Sequence, residues 1–131
     1  LWIDDDFVHT LHVATGKKIA IETNGTHRIP QETDWVTLSP KFGMTTPEYS
    51  SEAARICVQR ADEIKVVDTG QPLEPYFTLP QARSNTMMFL QPCYVDDQAA
   101  FASNVARTIQ RVKDDPRWRL SVQLHRYLQI P

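Results

Sequence analysis

The sequence predicts an α/β fold of five mainly parallel strands with flanking helices. Two observations carry that reading: short apolar, β-branched runs alternate with helix-period patterns along the chain, and cap or turn signals stand at the joints. Such alternation makes parallel neighbours joined by right-handed crossovers. At 131 residues the chain has the length of one domain, so residues 1–131 are read as a single unit.

The elements follow in order. Asp4, Asp5 and Asp6 suit a helix start, Phe7, Val8 and Leu11 an apolar stripe, and Gly16 a stop. Lys18–Thr23 reads as the first strand, closed by Asn24-Gly25, and Asp34–Ser39 as the second, closed by Pro40. Phe42–Tyr49 is loop-like, and Ser50 or Ser51 can cap a helix running to about Arg60. Ile64–Val67 is the third strand, closed by Asp68-Thr69-Gly70. Pro72, Pro75 and Pro80 then limit any helix to one or two turns. Thr86–Leu90 is the fourth strand. Asp96 or Asp97 opens the strongest helix, where Phe101, Val105, Ile109 and Val112 recur at helical steps until Pro116. Arg119–Leu124 is the fifth strand and His125–Pro131 a tail.

Composition narrows the function. Apolar residues make up 41% and no apolar run approaches the ~20 residues that cross a bilayer, so membrane spanning is not expected. With 14 Lys and Arg against 16 Asp and Glu, the chain lacks the basic excess of a phosphate-backbone binder, and no nucleic-acid partner is expected. Cys57 and Cys93 are the only cysteines, without metal-ligand spacing, and imply reduced thiols in an intracellular, cytoplasmic protein. Cys57 falls in a helical pattern and reads as core, Cys93 as a small neighbour of the site without a paired base. His9 and His12 read as helix-surface residues.

In α/β proteins ligands gather where the strands end at their carboxyl termini. Those ends carry Glu22-Thr23-Asn24-Gly25-Thr26, Ser39-Pro40-Lys41, Asp68-Thr69-Gly70, Gln91-Pro92-Cys93-Tyr94 and Gln123-Leu124-His125. The strand bodies are apolar and the ends polar, which points to a polar ligand at one rim. Taken singly, Asn24-Gly25 is also an ordinary turn, and Ser39-Pro40 and Gln91-Pro92 ordinary strand endings.

Taken together and in order, ETNGT, DWVTLSPK, ADEIKVV, a strand running into QP, and RLSVQLHRYLQIP resemble the carboxyl-terminal portion of the 7-carboxy-7-deazaguanine synthases. These are radical S-adenosylmethionine (SAM) lyases of queuosine and 7-deazapurine biosynthesis. The resemblance covers essentially the whole chain. It implies a partial (β/α) barrel, a homodimer, and conversion of the pterin substrate 6-carboxy-5,6,7,8-tetrahydropterin to 7-carboxy-7-deazaguanine with SAM, a 4Fe-4S cluster and Mg²⁺. It further implies that Ser39, Pro40 and Lys41 contact SAM, as do Gln91, Pro92, Cys93 and Tyr94. Glu22 and Asn24 would lie near its ribose and methionine, and the carboxylate of Pro131 near the substrate. No catalytic residue is assigned within the chain.

The sequence departs from that family at one point of chemistry. Such enzymes hold their cluster with three closely spaced cysteines in an amino-terminal loop, which two distant cysteines cannot reproduce. The chain also opens at Leu1 without an initiator methionine. The expectation is therefore a piece of a longer enzyme, inactive alone, with cluster and Mg²⁺ ligands in a preceding part and a sheet edge near Lys18–Thr23 seeking a partner. Two alternatives stand beside it: a non-catalytic α/β domain that binds SAM or a partner protein, and another radical SAM enzyme such as an activase.

Overall fold

The computed structural model describes residues 3–41, 52–77 and 85–128. Within them the chain runs α1 (Asp5–Thr15), β1 (Ala20–Thr23), β2 (Trp35–Leu38), α2 (Glu52–Arg60), β3 (Glu63–Asp68), α3 (Glu74–Phe77), β4 (Met87–Pro92), α4 (Gln98–Asp114), β5 (Trp118–Leu120) and α5 (Leu124–Leu128). The strands form a parallel five-stranded sheet in the order β1-β2-β3-β4-β5, as the α/β reading requires. The expected loop at 42–49 and the Ser50 or Ser51 cap lie outside the described residues.

Two compact units share β3: residues 1–64 with 72–86, and residues 65–71 with 87–131. In the first, α1 starts because the Asp4 side chain accepts from Phe7 N–H at 2.9 Å, and it stops because Gly16 adopts φ +61°. Of the expected stripe only Val8 is buried. Phe7 and Leu11 are exposed, since the helix meets its unit along the Val8 side. The core gathers Val8, Ile29, Val36, Leu38, Cys57, Val58, Ile64 and Tyr76.

β1 and β2 are parallel, with Thr23 opposite Leu38, yet no helix joins them. Parallel strands need a crossover. Here an irregular segment serves, because other groups satisfy its backbone. The Arg60 guanidinium donates to the carbonyls of Ile29 at 3.0 Å, Pro30 at 2.9 Å, Gln31 at 3.3 Å and Thr33 at 3.4 Å. Asp5 accepts from Gln31 N–H at 2.7 Å and pairs with Arg28 at 2.6 Å. The Asp34 carboxylate accepts from Ile19 N–H at 2.8 Å while Asp34 N–H donates back to the Ile19 carbonyl at 2.9 Å. A pinned loop thus serves as the crossover from β1 to β2 in place of a helix.

In the second unit α4 covers β4 and β5. The Asp97 side chain caps it by accepting from Ala100 N–H at 2.7 Å, and it ends before Pro116. β4 pairs with β5 from Met88 opposite Trp118 to Leu90 opposite Leu120, over a core of Val66, Leu90 and Trp118. β5 is shorter than expected, and part of the expected tail forms α5. The residues after Leu120 therefore leave the sheet early, with Ser121 N–H still donating to the Leu90 carbonyl at 2.9 Å.

Candidate functional site

The sequence-predicted site residues fall on both units. In the first, β1 delivers Glu22 and Asn24 and β2 delivers Ser39, Pro40 and Lys41. The two strand ends are neighbours, because Ser39 N–H donates to the Thr23 carbonyl at 2.7 Å. Ser39 and Pro40 are buried; Glu22, Asn24 and Lys41 are exposed. The ETNGT turn has a defined geometry. Gly25 is buried at φ +84°, a backbone conformation that disfavours any side chain, and its N–H donates to Thr23 Oγ1 at 3.1 Å. Asn24 Oδ1 accepts from Thr26 N–H at 3.1 Å and from the Thr26 hydroxyl at 2.9 Å, and His27 Nδ1 lies 3.0 Å from that hydroxyl.

Beside this turn a cavity of about 520 Å³ opens, lined by Ile21, Glu22, Thr23, Asn24, Thr26 and His27 together with the start of α1 and Arg28–Pro30. Volumes of this order hold drug-sized ligands. Its wall combines the carboxylates of Asp4, Asp5 and Glu22, the Asn24 amide, the Thr23 and Thr26 hydroxyls, the His27 imidazole and the Arg28 guanidinium with the isoleucines Ile3, Ile21 and Ile29.

In the second unit Gln91 and Pro92 complete β4, two residues later than the expected strand end, with Pro92 buried at its last position. Proline is tolerated there because it ends the ladder. Cys93 and Tyr94 follow. The Tyr94 ring packs edge-on against Phe101 of α4, centroids 5.2 Å apart at 63°. Pro131 lies outside the described residues.

Helix periodicity marked the apolar row of α4, but the row that touches strand ends is polar. Asp68, at the carboxyl end of β3, is fully buried. Its carboxylate accepts from Arg111 at 2.5 Å, the Thr108 hydroxyl at 2.8 Å and Gly70 N–H at 3.0 Å, and lies 3.4 Å from Arg107 Nε. Burial pushes the Asp68 carboxyl up, but the Gly70 N–H, the Thr108 hydroxyl and the Arg111 guanidinium outweigh it and hold the group below the usual carboxylate range. The sequence carries only the i, i+3 spacing of Thr108 and Arg111 as a signal, and that spacing does not show that Asp68 is buried beneath them.

Cys57 is core, as expected. Its thiol donates to the His27 carbonyl at 3.1 Å, and burial pushes it up despite the Arg60 charge. His9 lies on the surface of α1, 3.0 Å from Glu32, and His12 lies 3.9 Å from Asp34. Among the described residues no group of three or more His, Cys, Asp or Glu is placed to hold a metal. The donor set does not fit a 4Fe-4S cluster, since one of the two cysteines is buried in the core. Among the described residues no helix is long and apolar enough to cross a membrane.

A parallel sheet flanked by helices defines an α/β protein. Within that class the chain is similar along its whole length to 7-carboxy-7-deazaguanine synthases. It is 41% identical to the synthase of Bacteroides thetaiotaomicron over 99% of this chain and 59% of that protein. It is 36% identical to that of Nitratidesulfovibrio vulgaris over 100% of this chain and 55% of the relative, and 34% identical to that of Bordetella pertussis over 100% and 55%. The chain thus spans a little over half the length of these curated relatives. No protein-family model matches it.

Proposed function

We propose that the chain is the carboxyl-terminal part of a 7-carboxy-7-deazaguanine synthase, a radical SAM lyase acting on 6-carboxy-5,6,7,8-tetrahydropterin in queuosine and 7-deazapurine biosynthesis. The observation that carries this is similarity to these synthases along the whole chain. The motifs Glu22–Thr26 and Ser39–Lys41, hydrogen-bonded neighbours at two strand ends, add support.

On this reading Glu22, Asn24, Ser39, Pro40 and Lys41 serve SAM, a role that the resemblance also gives to Gln91, Pro92, Cys93 and Tyr94. When bound, SAM supplies the hydrogen-abstracting radical chemistry. The chain's own residues bind, orient and exclude water: Glu22 receives the ammonium, Lys41 faces the carboxylate, and the buried Ser39-Pro40 backbone fixes where Lys41 starts. The Pro131 carboxylate serves the pterin. Cluster and Mg²⁺ ligands come from residues outside this chain. The working enzyme is a cytoplasmic homodimer.

The test joins this chain to the amino-terminal remainder of the Bacteroides thetaiotaomicron synthase, with anaerobic iron and sulfide reconstitution. Chromatographic detection of 7-carboxy-7-deazaguanine from the pterin supports the reading. A folded, cluster-bearing chimera that forms none overturns it.

A further inference from the structure

We infer that Asn104 is a positioning residue that sets the backbone of the Gln91–Tyr94 segment, and that Asp68 and Arg107 anchor it. Asn104 Nδ2 donates to the Cys93 carbonyl at 2.9 Å. Its Oδ1 accepts from Arg107 Nη1 at 2.8 Å, which fixes the orientation of the amide and leaves Nδ2 as the donor. Arg107 is tied in turn: Nη2 donates to the Asp68 carbonyl at 2.9 Å, and Nε lies 3.4 Å from the Asp68 carboxylate. Asp68 is itself immobilised by Arg111 and Thr108. A chain of polar contacts therefore runs from a fully buried carboxylate at the end of β3, across one face of α4, to a carbonyl just past the end of β4.

Three features favour this function over mere helix packing. The carbonyl that Asn104 reaches lies one residue beyond the last position of β4. Tyr94, the next residue, rests on Phe101 of the same helix, so α4 grips two consecutive rim residues. Asn104 is also an unfavourable helix-interior residue, which implies a local reason for its place.

The inference rests on the reading that Gln91–Tyr94 touches SAM, and the test separates the two. In the 131-residue chain, alkylation by iodoacetamide of Cys93, which is partly exposed, reports the segment, while Cys57 is buried. Asn104→Asp keeps the acceptor for Arg107 but removes the donor to Cys93. We expect alkylation of Cys93 about fivefold faster with circular dichroism and melting temperature retained, matched by Asn104→Ala. An unchanged rate in Asn104→Asp overturns the inference. In the reconstituted chimera SAM should slow Cys93 alkylation in the wild type and lose that protection in Asn104→Asp. Faster labelling in the variant with no protection by SAM in either protein upholds the tether and overturns the ligand reading of Gln91–Tyr94.

Discussion

Ser39 stands beside Thr23, its N–H on the Thr23 carbonyl at 2.7 Å, so the last bond of the β1–β2 ladder joins the two motifs that the sequence marks most strongly. The parallel register, with Thr23 opposite Leu38, puts Ser39-Pro40-Lys41 next to the ETNGT turn.

Gly25→Ala should therefore disturb the rim. At φ +84° an added Cβ is strained by about 1–2 kcal/mol, enough to lower the urea midpoint and to displace Asn24 from its turn. In the chimera the same variant should weaken SAM binding more than it weakens stability.

Arg60→Ala removes a charged donor shared by four carbonyls of the β1–β2 connection, with a stability loss of about 2–3 kcal/mol. Amide exchange should rise within residues 29–33 and change little in α4. Arg60→Lys should recover only part of the loss, because one ammonium cannot reproduce the planar fork.

Asp68→Asn leaves Arg111 and Arg107 facing a neutral group and should lower stability by about 3 kcal/mol near neutral pH. The folded chain holds the Asp68 carboxyl ionised more firmly than the unfolded chain does, so its contribution is present above the ordinary carboxylate value of about 4. It is lost as pH falls through the lower folded value. The wild-type advantage over Asp68→Asn, read from urea midpoints, should be constant above about pH 5 and shrink on further acidification.

Cys57 should resist Ellman's reagent in the native chain, since it is buried and its thiol is pushed up, and react fully once denaturant is added. Cys93 should react without denaturant.

Much of this was legible beforehand because periodicity reports what faces a core. All five strands, the Asp97 cap and the Gly16 stop follow from local rules. Three things were not. The connection from β1 to β2 depends on Arg60, distant in sequence, satisfying its carbonyls. The exposure of Phe7 and Leu11 depends on which side of α1 meets its unit. The polar row Asn104, Arg107, Thr108 and Arg111 has the same spacing as an apolar face but acquires meaning only when Asp68 is found buried beneath it. Of the candidate site, the strand-end positions were readable, whereas the support behind Cys93 required tertiary contacts.

The most direct measurement is a calorimetric titration of SAM into the reconstituted chimera and its Lys41→Ala variant, whose exposed rim position leaves folding intact. The account predicts binding that weakens about tenfold on substitution, ~1.4 kcal/mol. Equal affinity in the two proteins would contradict it.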